Sequence, residues 1–208
     1  MLLEVLIGSV VGVANGVRHA IEPDHLAAVS TLAAEEPRTR DAVRFAAAWG
    51  LGHALMLLIV GGALVLMRRE MPMPLVDAFE LVVAAMLMVL GGRALLRARK
   101  LRPAIDRKTK PNVARPLFVG VVHGLAGSGA ITALALSTLS SAFEALAFVA
   151  LYGIGATLGM ATLAGIAGPP LSRLARSDRA CRALVAATGC ASLAIGAVWA
   201  AQALVRLV

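Results

Sequence analysis

Apolar residues run through this chain in long stretches, separated by short polar connections. A helix crossing hydrocarbon needs about 20 mostly apolar residues, and six stretches reach that length, near 3–32, 43–67, 75–97, 116–140, 142–167 and 181–206. Each predicts a membrane-spanning helix. A closed barrel would show short segments alternating apolar and polar positions, a pattern these stretches lack. The expected fold is an all-α integral membrane protein with six transmembrane helices.

Composition strengthens this picture: of 208 residues, 59% are hydrophobic and only 15% charged, with a mean hydropathy of +0.83. Soluble domains are far more polar. The opening "MLLEVLIGSVVGVANG" lacks the basic start and small-residue cleavage site of a signal peptide, so the first helix is expected to be retained. Cys181 and Cys190 fall on the last helix, roughly 13 Å apart along its axis. They cannot bridge one another there, which excludes a disulfide scaffold.

The net charge of +8 would suggest nucleic acid in a soluble protein, but here it reads as topology. Arg38, Arg40 and Arg44 follow the first helix. The third is followed by Arg97, Arg99, Lys100, Arg102, Arg107, Lys108, Lys110 and Arg115, and the fifth by Arg173, Arg176, Arg179 and Arg182. Only Arg68, Arg69 and Arg206 lie on the opposite side. The positive-inside rule then places the three basic connections in the cytoplasm and both termini outside, in a multi-pass protein of the cytoplasmic membrane. A solvated loop accounts for 97–115, so the lipid bilayer and no nucleic acid is the expected partner.

An internal repeat is visible as well. "GVANGVRHAIEPDHLAAVSTL" from Gly12 resembles "GVVHGLAGSGAITALALSTL" from Gly120, with Gly12 and Gly16 matched to Gly120 and Gly124. "WGLGHAL" from Trp49 matches "YGIGATL" from Tyr152. The expected organisation is a three-helix repeat over 1–97, a basic cytoplasmic linker over 98–115 and a second three-helix repeat over 116–208. A repeat with an odd number of spans starts its second copy from the other side of the membrane, so the halves are expected to be inverted. Inverted repeats hold substrates near the midplane, on helices interrupted there. Pro23 and the glycine-rich "GLAGSG", Gly124 to Gly129, are the two expected interruptions.

The first interruption carries the chemistry. Arg18, His19, Glu22, Pro23, Asp24 and His25 crowd one window of an otherwise apolar helix. Pro23 lacks an amide hydrogen and clashes with the carbonyl four residues back, which predicts a kink that frees the His19 oxygen. On an unbroken helix His19, Glu22 and His25 share an arc of about 120°, and the kink would bring Asp24 round. Each charge in hydrocarbon costs about 2.5–3.5 kcal/mol, which calls for partners, water or a bound ion. Arg18 can neutralise one carboxylate. Imidazoles with a carboxylate suit first-row transition metals, whereas magnesium and calcium prefer oxygen shells. His53 lies in the second span and His123 opens the fourth, so both can approach the same midplane. The candidate metal-binding residues are His19, Asp24, His25, His53, His123 and Glu22. For Glu22 the alternative is a salt bridge to Arg18 alone; for Asn15 it is a helix–helix hydrogen bond, and for the glycines of "GLAGSG" close packing.

With "RHAIEPDH" the chain resembles the nickel/cobalt transporter family, whose signature is His, any four residues, Asp, His, here His19, Asp24 and His25. "LGHAL" around His53 is similar to the family's second Gly-His motif, and "VVHGLAGSGA" around His123 to a His-Gly motif in the later half. Six spans make it most similar to the smaller urease-accessory, UreH-like permeases. The resemblance implies a permease and not an enzyme, with Ni2+ or Co2+ as transported substrate and no resident cofactor. It implies metal selection by His19, Asp24, His25 and His53, and a link to urease or hydrogenase maturation machinery. The Glu22-Pro23 pair is more like the efflux branch, while Asp24 favours uptake. Two readings compete with a permease. A thiol-redox carrier of similar three-plus-three design needs reactive cysteines on the first helix of each half, where this chain has histidines. An intramembrane metal hydrolase would need a general base, and no HExxH pair is present.

Overall fold

The structure, a computed structural model, describes residues 2–33, 38–100, 112–139, 141–174 and 177–207. Most of the expected basic linker, 98–115, lies outside them. The described residues are helical with no strand: α1 (Leu2–His19), α2 (Pro23–Ala33), α3 (Thr39–Met56), a π-helical turn (Leu57–Gly61), α4 (Gly62–Met67), α5 (Met73–Lys100), α6 (Ala114–Thr138), α7 (Ala142–Leu174) and α8 (Asp178–Leu207). Five continuous stretches are long and apolar enough to cross a membrane: Thr39–Met67, Met73–Arg99, Ala114–Thr138, Ala142–Pro170 and Arg179–Leu207. Large apolar side chains such as Leu66, Phe118 and Ile166 point outward, each more than 60% exposed. Lipid is the medium in which such a surface is stable. This is a multi-pass, all-α integral membrane protein.

The first expected span divides in two. Pro23 becomes the first residue of α2, a position where its missing amide hydrogen has no helical use. The turn before it closes on itself, with Ile21 N–H bonded to Arg18 O and Glu22 N–H to His19 O, both at 3.0 Å. The His19 carbonyl, expected to be freed by a kink, therefore carries a hydrogen bond. Asp24 sits in the first turn of α2, where a carboxylate faces the positive end of the helix dipole.

The second expected interruption does not form: α6 runs unbroken through Gly124 to Gly129. The physical reason is close packing. A Cβ on Gly120 would stand 2.0 Å from the Trp49 carbonyl oxygen, and one on Gly124 would stand 2.7 Å from that of His53. These glycines let α6 lie directly against α3, and an intact helix keeps its own backbone groups bonded in an apolar medium. The irregular turn falls instead at Leu57–Gly61, one turn beyond His53.

The glycine crossings are reciprocal. A Cβ on Gly16 would stand 2.1 Å from Tyr152 O, as one on Gly120 would from Trp49 O at 2.0 Å. Likewise Gly155 meets Val13 O at 2.2 Å and Gly52 meets Leu117 O at 2.1 Å. So α1 packs on α7 as α6 packs on α3, while α3 also packs on α7 and α5 on α8. Trp49 and Tyr152 open the two matched stretches, and this packing pairs Gly16 with Gly120 and His19 with His123. That register is one helical turn away from the one the sequence comparison suggests.

Candidate metal centre

The break between α1 and α2 brings His19 and the Asp24-His25 pair back against the middle of α3 and α6. His25 is the hub. Its ring centroid lies 4.2 Å from that of His19, 4.3 Å from that of His123 and 5.1 Å from that of His53. His25 and His53 are fully buried, and Asp24 and His123 are each only 2% exposed. All six expected residues meet here, and the ligand atoms of five of them fall into two triplets: His19, His25 and His53, and Asp24, His25 and His123. Within each triplet every ligand atom lies within 4.8 Å of the others.

Hydrogen bonds decide which atoms remain available. His19 Nδ1–H donates to Glu22 Oε2 at 2.8 Å, which leaves the buried Nε2 with no hydrogen-bond partner among the described residues. Glu22, expected among the ligands or as the partner of Arg18, belongs to neither triplet and orients His19. Arg18 is exposed and makes no ion pair among the described residues. The carboxylate of Asp24 is buried with imidazoles, not with Arg18. His123 Nε2–H donates to Asp24 Oδ2 at 2.8 Å, and His25 Nδ1 lies 3.3 Å from the same oxygen. Asp24 Oδ1, His25 Nε2, His123 Nδ1 and both nitrogens of His53 are buried without a hydrogen-bond partner. A packed structural histidine would bond a backbone carbonyl, and His53 bonds none. Buried polar atoms left open in this number call for an explanation, and a cation that binds lone pairs is one.

The neighbouring polar residues are accounted for differently. Ser128 Oγ donates to Leu125 O and Thr132 Oγ1 to Ser128 O, both at 2.6 Å, so neither hydroxyl faces the cluster as a spare donor. Asn15 Nδ2 donates to Val11 O at 3.0 Å within its own helix, not across helices. Cys181 packs against Ala94 and Ala98 in a separate part of the bundle, and Cys190 is exposed.

Some residues of the centre were not expected. Trp49, fully buried, sits with its ring centroid 5.2 Å from that of His25 and 5.5 Å from that of His123. Tyr152 covers His19 from the other side at 5.3 Å. A cavity of about 300 Å³ reaches the cluster past Tyr152, Glu22, Gly127 and Glu80. Glu80 is paired with Arg206, which also donates from Nε to Asp77 Oδ1 at 2.7 Å. The signal for this trio was present in the sequence, since Asp77 and Glu80 share one face of an apolar helix. Gly127 leaves room at the centre, because a Cβ there would stand 3.5 Å from His53 Cε1 and 3.9 Å from His19 Nε2.

No family model matches the chain, and no solved structure matches it. A curated protein does: the chain is 32% identical over 198 residues, covering 89% of this chain and 86% of the other, to urease accessory protein UreH of Bacillus sp. (strain TB-90). With that identity over nearly the whole of both proteins, the chain belongs to the UreH family of urease accessory proteins.

Proposed function

We propose that this protein is a permease that takes up a divalent transition-metal cation, Ni2+ or Co2+, across the cytoplasmic membrane. The observation that carries this reading is a largely buried cluster of four histidines and one aspartate, with open nitrogen and oxygen atoms, in the middle of an apolar bundle. Neutral imidazole suits nickel and cobalt and serves magnesium and calcium poorly. His19 carries the arrangement expected of a ligand, with one nitrogen held by a carboxylate and the other open. A relative named for its support of urease fits a route that delivers nickel.

The architecture of this reading is six spans in two inverted three-helix repeats, the first span being α1 and α2 together. The reciprocal crossings of Gly16 on Tyr152 and Gly120 on Trp49 support it. The cation enters the cavity as a hydrated ion, exchanges water for the ligands of the cluster, and leaves after the two halves rock about it. Basic connections in the cytoplasm put both termini outside. Glu80 near the start of α5 and Leu134 and Trp199 near the ends of α6 and α8 line the cavity, so it rises toward the outer face.

Radioactive nickel and cobalt flux into proteoliposomes, with pH gradients of both signs, tests the substrate and the direction together. His19→Ala and His25→Ala are expected to abolish flux while the protein still reaches the membrane. Unchanged nickel accumulation in either variant overturns the site, and flux only in the outward direction overturns uptake.

A further inference from the structure

We propose that the cluster offers one cation two stations in succession, and that His25 is the ligand common to both. This rests on the reading of the cluster as a transition-metal site. The ligand atoms do not converge as one set of five. They form two triplets whose single shared member is His25.

The chemistry of an imidazole explains why sharing implies succession. Its two ring nitrogens point in divergent directions, so one ion takes one of them. His25 Nδ1 faces the Asp24 carboxylate at 3.3 Å, while Nε2 is buried with no hydrogen-bond partner. His19 and His123, matched by the reciprocal packing, flank the ring at nearly equal centroid distances of 4.2 and 4.3 Å. One station thus lies on each side of His25. A single cation occupies one station at a time, because two divalent ions this close in a medium of low dielectric repel strongly.

The stations differ in charge. Asp24, His25 and His123 offer a carboxylate that offsets one of the two positive charges, whereas His19, His25 and His53 offer three neutral nitrogens. Charge uncompensated in an apolar interior is costly, so the Asp24 station holds the ion longer and the three-imidazole station is a point of transit. Transfer exchanges one carboxylate oxygen and two nitrogens for three nitrogens: His25 gives up one ring nitrogen for the other, its single ring proton passing to the nitrogen that the ion has left, and no electron changes hands. A 2.8 Å hydrogen bond from His123 to Asp24 holds these two members of the Asp24 station together.

The test is nickel binding to the purified full chain in detergent, by titration calorimetry with nickel chloride alone. Wild type is expected to bind one nickel per chain. Asp24→Asn and His53→Ala each leave one station whole, so affinity falls no more than about tenfold while nickel flux in proteoliposomes is lost. His25→Ala removes a ligand from both, so affinity falls at least about 100-fold, and His25→Asn supplies the same comparison if the alanine variant does not fold. X-ray absorption should find a carboxylate oxygen on nickel in His53→Ala, and nitrogen and water in Asp24→Asn. Equal losses across the three positions, or flux retained by a variant with one station, overturn the two-station arrangement while leaving a metal site standing. A wild-type protein that binds no nickel overturns both.

Discussion

His123 Nε2 donates a hydrogen bond to Asp24 Oδ2 across 2.8 Å, and so ties the middle of α6 to the first turn of α2. Both side chains are almost wholly buried, so the bond joins α6 to the residues that follow the helix break between α1 and α2. A hydrogen bond to a charged group contributes about 1.5–3 kcal/mol, and a buried acceptor that loses its donor costs more than the mean bond. His123→Ala is therefore expected to lower the thermal unfolding midpoint in detergent. The double variant Asp24→Asn, His123→Ala should unfold at a higher temperature than His123→Ala alone, because it no longer buries an ionised group without that donor. Equal midpoints for the two would mean that the bond does not link α6 to α2.

Glu22 acts through His19. Its carboxylate accepts a hydrogen bond from Nδ1–H at 2.8 Å and leaves Nε2 toward the cluster. Loss of such a partner commonly weakens metal affinity by about 10- to 100-fold. Because His19 serves only one of the two stations, Glu22→Ala is expected to lie at the low end of that range, no more than about tenfold in a nickel titration, whereas Glu22→Gln, whose amide oxygen still accepts from Nδ1, should lose less. The side chain is 44% exposed, so neither change should shift the unfolding midpoint much. A Glu22→Gln variant as weak as Glu22→Ala would point to direct ligation instead.

The glycine crossings are predicted to be the most fragile part of the bundle. At Gly16 and Gly120 an added Cβ would meet a backbone carbonyl at 2.1 and 2.0 Å, and neither backbone can yield without separating two helices. Gly16→Val and Gly120→Val should both fail to accumulate in the membrane. Gly92→Ala is the control, since a Cβ there has nothing within 4 Å, and helix propensity alone favours the change by up to about 1 kcal/mol. Western blots of membrane fractions separate these outcomes.

Five of the six expected spans were legible because hydrocarbon imposes length and apolarity directly on sequence. The expected 43–67 is the observed Thr39–Met67, and the expected 142–167 is Ala142–Pro170. The four histidines were legible as a group because none lay in a polar connection. What sequence could not settle was anything decided by a neighbour. Glycine serves an unwound segment and a close crossing equally well, and only the Trp49 carbonyl against Gly120 decides between them. Glu22 had two basic candidates within reach, and the turn at Ala20–Glu22 gave it His19 rather than Arg18. Trp49 carried no signal as a wall of the centre, since a tryptophan in an apolar helix has many other uses.

Acid should weaken nickel binding, and the sign follows from the ligands. A nitrogen that binds a cation must present its lone pair, so each ligating imidazole has to be neutral and any proton on that atom has to leave. In acid, protons compete with nickel for the lone pairs of the ligating imidazoles, and each proton displaced makes affinity fall about tenfold per pH unit. Nickel titrations of the purified chain between pH 5 and 8, repeated in buffers of different ionisation enthalpy, count the protons released. Affinity is expected to fall as pH is lowered, with the number of protons released per nickel rising toward acid pH. Affinity that stays constant from pH 8 to 5 would overturn this competition between protons and nickel. The same competition favours release on the more acidic face, so an acid-loaded liposome interior should speed nickel entry, and an alkaline interior should slow it.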